Sequence, residues 1–272
     1  MINKGKGCIS AIFNGSIPIG VIKHGLETVF NKAEEPVEPT QGYVTEGVIA
    51  NYSGYDCEGG STWVDSASGN NITMYNNPTF NSEIHGWVFG GGSTKQYGKG
   101  NISAPTGDYT IEIYGLVPDM STYSKIAAFV GHTWSAYKGY GIGGVYTDSN
   151  NARTMCFFAT ANNSGKNFPM YLEGIWGANI KTKFVLRRNQ ADGIYNQYAK
   201  NINGDKTQND TVSTAAITPY QQKIIIGSLK DASTSASDFC KGTMFAVRVY
   251  NRYLTDEEIA QNHAEDVRLY GE

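Results

Sequence analysis

Met244-Phe-Ala-Val-Arg-Val-Tyr250, with Thr255-Asp-Glu-Glu258 close behind it, decides how this chain folds. The first run is dense in β-branched and aromatic residues, as a strand with one face in a core requires. Thr255 and Glu258 stand at the spacing of a capping box. The Thr255 hydroxyl serves an early helix N–H, and the Glu258 carboxylate reaches back to the Thr255 N–H. A helix therefore follows the strand, with Ile259, His263 and Val267 on one face.

Upstream, further runs have the same character: Tyr109-Thr-Ile-Glu-Ile-Tyr114, Lys125-Ile-Ala-Ala-Phe-Val130, Thr154-Met-Cys-Phe-Phe-Ala159, Lys183-Phe-Val-Leu-Arg187 and Lys223-Ile-Ile-Ile-Gly227. Several alternate apolar with polar residues, which sends one face of each strand into a core and the other toward solvent. No βαβ rhythm appears. With 32 Gly, 18 Tyr and 11 Phe, the composition suits many short strands joined by tight turns. The fold class expected is all-β, a two-sheet antiparallel jelly-roll sandwich with a short C-terminal helix.

Three regions follow. In residues 1–30, Ile12-Phe-Asn-Gly-Ser-Ile-Pro-Ile19 is echoed by Ile22-Lys-His-Gly-Leu-Glu-Thr-Val29. Asn14-Gly15 and His24-Gly25 are hairpin turn signals, and two small hairpins are expected. Hairpins this small bury too little surface to stand alone, so Ile12, Phe13, Ile17, Ile19, Ile22, Val29 and Phe30 are the candidate docking residues. Residues 31–41 are acidic and proline-bearing and read as a linker. Residues 42–272 form the sandwich.

The net charge of −3, with Lys and Arg scattered, argues against nucleic acid as a partner. No apolar run approaches the roughly 20 residues of a membrane span, and no secretion signal is read. Cys8, Cys57, Cys156 and Cys240 form no C-x-x-C pair, so neither a zinc cluster nor a disulfide framework is expected.

Chemistry is sparse. Gly139-Tyr-Gly-Ile-Gly-Gly144 satisfies G-x-G-x-x-G but runs into strand-like sequence, so it is a Gly-rich strand edge rather than a phosphate cradle. No Glu-x-Asp-x-Glu strand supplies a glycosidase acid pair, and Glu112 and Glu173 are isolated and expected to be solvated. No G-x-S-x-G elbow occurs. No cofactor is expected beyond a structural Ca²⁺, for which Asp65 and Asn70 in the oxygen-rich turn are the candidates. Hydrogen bonding within an Asx turn accounts for the same residues and is favoured. The densest aromatic loop contains Trp134, Tyr137 and Tyr140, the candidate carbohydrate-binding residues. Capping of the core or a subunit interface explains them equally well.

Trp63-Val-Asp-Ser-Ala-Ser-Gly-Asn-Asn71, Tyr75-Asn-Asn-Pro78-Thr-Phe80, Trp87-Val-Phe-Gly90 and the stretch from Phe245 to Asn262 together resemble the concanavalin A-like, laminin-G-like jelly rolls of bacterial surface proteins and phage structural proteins. The resemblance spans roughly Gly42 to Gly271. The N-terminal repeat resembles the Gly-turn hairpins at the start of some phage virion proteins. These resemblances imply a non-enzymatic virion protein, a head or tail fibre or decoration protein assembled in the host cytoplasm. Its partners would be other virion proteins, copies of itself in a trimer, and cell-surface glycans. A bacterial surface carbohydrate-binding module and a divergent glycoside hydrolase are the alternatives.

Overall fold

The computed structural model of the protein describes residues 42–103, 105–116, 179–209, 211, 223–228 and 239–272 in full, and residue 210 and the strands at 13–14, 17–18, 22–24, 27–30, 128–131, 140–148, 151–158 and 170–173 by their backbone. The chain divides into two units, Met1–Gln41 and Gly42–Glu272.

In the first unit β1 (Phe13–Asn14) pairs with β2 (Ile17–Pro18), and β3 (Ile22–His24) with β4 (Glu27–Phe30), both antiparallel. Asn14 pairs with Ile17 and His24 with Glu27, so these two residues belong to strands rather than turns. Of the docking candidates, Phe13, Ile17, Ile22, Val29 and Phe30 lie in these strands, while Ile12 and Ile19 lie outside the described residues.

The second unit runs β5 (Val48–Ser53), β6 (Thr62–Trp63), β7 (Ile72–Tyr75), β8 (Thr79–Asn81), β9 (Gly86–Gly90), β10 (Tyr97–Ser103), β11 (Tyr109–Leu116), β12 (Ala128–Gly131), β13 (Tyr140–Asp148), β14 (Asn151–Phe158), β15 (Met170–Glu173), β16 (Lys181–Asn189), β17 (Ile194–Asn201), β18 (Gly204–Thr211), β19 (Lys223–Ile226), β20 (Lys241–Tyr250) and helix α1 (Asp256–Tyr270). One eight-stranded antiparallel sheet has the order β15-β14-β13-β12-β19-β10-β7-β6. The other has the order β18-β17-β16-β11-β20-β9-β8, with β5 also paired to β20. The protein is an all-β, two-sheet antiparallel sandwich with one C-terminal helix.

The core lies between the sheets. Trp63 on β6 and Trp87 on β9, both fully buried, meet across it with ring centroids 6.4 Å apart, and Tyr52 tilts against Trp63 at 6.0 Å. Burying one such large apolar side chain contributes about 1.5–3 kcal/mol. Close approach is bought by glycine at one place: a Cβ on Gly98 of β10 would come within 2.5 Å of Ile72 Cγ2 and 2.8 Å of Ile226 Cγ1. The missing side chain lets the isoleucines of both neighbouring strands close over β10.

Strand β20 departs from simple alternation. Tyr114 pairs with Ala246 and Gly115 with Met244, which leaves Phe245 as an extra residue, a β-bulge. Met244 and Val247 therefore both join the main core, while Phe245 and Ala246 pack with Tyr114 and Tyr270 on the other face. That face is covered by α1, whose capping box forms as the spacing predicts. The buried side of α1 is Ile259, Asn262, His263, Asp266 and Tyr270, so Val267 lies at its margin rather than on it.

From Tyr140 onward the Gly-rich run is strand β13, whose pairing with β14 shifts register between Gly143 and Val145, while Gly139 lies outside the described residues. Among the described residues no helix is long and apolar enough to cross a membrane.

Candidate functional site

Three charged positions in the middle of β11, β16 and β20 do not face solvent. Glu112, Lys183 and Arg248 point from adjacent strands toward α1, and all three are fully buried with Asp266. Lys183 Nζ lies 3.1 Å from Glu112 and 3.0 Å from Asp266. The Arg248 guanidinium donates to Glu112 at 2.9 Å and to both Asp266 oxygens at 2.8 and 2.7 Å. It also stacks over the Tyr43 ring, 3.9 Å from the centroid. Asn262 donates to Glu112, and its carbonyl receives the Val44 N–H.

Burial opposes ionisation of Asp266, yet Arg248 and Lys183 overcome it and hold its pKa below the ordinary carboxylate value. Lys183 loses more to burial than its two carboxylates return, so its pKa falls; Arg248 is the cation that secures Asp266. Two cations and two carboxylates compensate each other out of reach of water. This cluster seats the helix on the sheet, and it contains Glu112, which the sequence reading had left in solvent.

An open site lies on the same side of the sheet. Hairpin β17–β18 turns through Ile202 and Asn203 into Gly204, whose φ of +122° suits glycine. Between this hairpin and the start of α1 is a groove of about 330 Å³, lined by Tyr198, Lys200, Asp205, Lys206, Thr207 and Asp256 over a floor of Ile259 and Ala260. That volume is at the small end of ligand pockets, about 300–1,000 Å³.

Arg187 of β16 fixes one wall. It donates to the Asn196 side chain at 2.7 Å, to the Leu254 carbonyl at 2.6 Å and to the Asp256 carboxylate, and it lies over the Tyr253 ring at 4.6 Å. Asn196 in turn donates to Thr207 and Asn209 at 2.8 and 2.6 Å. The Tyr198 phenol is pushed up to about 12, first by burial and then by Asp205 and Asp256, against the opposing Arg187. It is a neutral hydroxyl at physiological pH. The groove thus offers an aromatic ring, two hydroxyls, two ammonium groups and two carboxylates over an apolar floor.

None of these groove residues was singled out in the sequence as a binding residue; Ile259 was named only for the face of the helix. Strand β18, Gly-Asp-Lys-Thr-Gln-Asn-Asp-Thr, lacks any apolar residue, so no hydrophobic alternation marks it. The available signal was the Asn203-Gly204 turn following the aromatic positions Tyr195 and Tyr198.

Asp65 and Asn70 do come together. Asp65 is buried, and its oxygens accept from Asn51 N and Ala67 N at 2.8 and 2.9 Å and from Ser68 N, Ser68 Oγ and Asn70 N at 3.3, 2.6 and 3.2 Å. Groups with hydrogens to donate converge on this carboxylate, which does not fit a Ca²⁺ site, where oxygens must face the ion. Trp134 and Tyr137 lie outside the described residues, and Tyr140 is placed as the first residue of β13.

No protein-family model and no curated protein sequence matches this chain. Solved structures do. A Trypanosoma rangeli sialidase in complex with 2,3-difluoro-KDN matches with a TM-score of 0.57 and 17% identity, over 87% of this chain and 36% of its own. A second T. rangeli sialidase structure matches with a TM-score of 0.56 and 16% identity, over 83% of this chain and 33% of its own. The structure titled "Cell entry of botulinum neurotoxin type C is dependent upon interaction with two ganglioside molecules" matches with a TM-score of 0.57 and 13% identity, over 82% and 51%. This chain spans about a third of the length of the sialidases it resembles.

At such identities the likeness shows the fold, a β-sandwich shared by proteins of different activity. The expectation of a non-enzymatic phage virion protein is corrected: the neighbours named here are two sialidase structures and a botulinum neurotoxin structure, and the sialidases fit the glycoside-hydrolase alternative better. The resemblance of the N-terminal repeat rested on short turn signals, which any hairpin shares.

Proposed function

We propose that the chain is a concanavalin A-like, glycan-recognising sandwich of a glycoside-hydrolase system, and that the groove between β17–β18 and α1 receives the sugar. The observation that carries this reading is the groove's lining. The Tyr198 ring suits the C–H face of a pyranose, and Thr207, Lys200 and Asp205 supply donors and acceptors for its hydroxyls. Arg187 holds Asp256 in place before any ligand arrives, which lowers the ordering cost of binding. The fold it shares with sialidases is consistent with this role.

Binding of the full chain to a panel of neutral and sialylated oligosaccharides tests the proposal. Tyr198→Ala is expected to weaken binding about tenfold, the loss of one stacked ring. Undiminished binding by both Tyr198→Ala and Lys200→Ala would remove the groove as the site. A second reading, that the groove also cleaves its glycan, is favoured by the two carboxylates it contains, Asp205 from the hairpin and Asp256 from the helix. Release of reducing sugar that is lost in Asp205→Asn or Asp256→Asn supports it; binding without turnover on the same panel refutes it.

A further inference from the structure

Far along the other sheet, Tyr75 of β7 and Tyr97 of β10 stand directly opposite each other in register. Their rings are stacked, with centroids 4.8 Å apart and planes 9° from parallel. Tyr97 is buried and leans on Phe239, whereas Tyr75 is 40% exposed. An aromatic cross-strand pair alone is a common way to stabilise a sheet. The chain around this pair does more than that.

The antiparallel register brings Asn76-Asn77, which follow Tyr75, beside Lys95-Gln96, which precede Tyr97. Three of these four residues hold the left-handed conformation without being glycine: Asn76 at φ 60°, Asn77 at 54° and Lys95 at 51°. Such conformations are sparsely populated and persist where the surroundings fix them. Here side chains do the fixing. Asn76 Nδ2 donates to the Lys95 carbonyl at 2.7 Å, Gln96 Nε2 donates to the Asn77 carbonyl at 2.7 Å, and Gln96 Oε1 accepts from Gly90 N at 2.6 Å. Two loop ends are thus cross-linked into a rim at one end of an exposed ring. The Asn77 amide and the Lys95 ammonium have no partner among the described residues.

We infer that Tyr75 and this rim form a second carbohydrate-binding site, in which a sugar ring stacks on Tyr75 while Asn77 and Lys95 hydrogen-bond its hydroxyls. A flat ring beside an amide that both donates and accepts matches a molecule with one C–H face and a periphery of hydroxyls. A nucleotide would also stack, but one ammonium on a chain of net charge −3 is poor provision for its phosphates. The inference shares with the proposed function only the class of ligand; the groove lies on the opposite sheet and is read by different variants.

The test is titration of the full chain with the same oligosaccharide panel, followed by calorimetry and by the NMR signals of the tyrosine rings. Tyr75→Ala is expected to lower the affinity of one class of glycan about tenfold, Tyr75→Phe to retain it within threefold, and Asn77→Ala to lower it by a smaller factor. Sugar should shift the Tyr75 ring signals in the unaltered protein, a readout independent of how well any variant folds. Loss in Tyr75→Ala with retention in Tyr198→Ala supports this site and removes the groove; the reverse pattern removes this site and keeps the groove. Unmoved Tyr75 signals across the panel overturn the inference, leaving a protein partner as the occupant to consider.

Discussion

Two clusters of mixed cations and carboxylates lie between one face of one sheet and α1 and have opposite fates. Glu112, Lys183, Arg248 and Asp266 lie where the body of α1 presses on β16, β11 and β20, and water is excluded from all four. Lys200, Asp205 and Lys206 lie one and two strands further out, where only the first turn of the helix, with Asp256, reaches, and the four line an open groove. Charge identity does not separate them. What separates them is how much of the helix lies above each, and that converts one set into a structural clamp and leaves the other for a ligand.

The largest effect is expected at Asp266. Asp266→Ala leaves Arg248 and Lys183 buried without compensation, and chemical denaturation should show a loss of about 3–5 kcal/mol. A smaller loss, under about 1 kcal/mol, would mean that water reaches the cluster and that the two regions are alike.

Acid should discriminate next. Burial, reinforced by Lys183, depresses His263 to about 4, from an unfolded value near 6.5; Asp266 opposes the shift. The folded chain therefore binds fewer protons than the unfolded chain between these values. His263 contributes no pH dependence above about pH 6.5, and stability falls as the pH drops toward 4, by at most about 3 kcal/mol. Denaturant midpoints measured from pH 7 to pH 4 should show this slope, and His263→Leu should flatten it.

Thr255→Ala acts on both regions, because the cap starts the helix that covers the clamp and places Asp256 on the groove. A loss of about 1 kcal/mol is expected in thermal melts, the usual worth of an N-cap. The smallest effect belongs to the groove itself. Lys206→Ala should alter stability by no more than about 0.5 kcal/mol, as for other exposed substitutions, while changing glycan binding.

The legible part of this protein was the part with periodic apolar sequence. Tyr109-Thr-Ile-Glu-Ile-Tyr114, Lys183-Phe-Val-Leu-Arg187 and Met244–Tyr250 each fall inside an observed strand, and Thr255 with Glu258 makes the expected capping box. Strand β18 was silent because an edge strand with polar side chains on both faces has no alternation to show. The candidate aromatic loop was chosen on local density of rings, whereas the groove and the Tyr75 rim assemble residues that are distant in sequence.

By itself the sequence determined the sandwich, the terminal helix and its start, since these follow from the period of apolar residues and from a cap spanning three positions. Only the tertiary structure decided that the outward charges of three strands would be sealed rather than solvated. Alternation tells which face of a strand a residue takes; it carries no information on whether a later helix, packed across that face, will take the place of water.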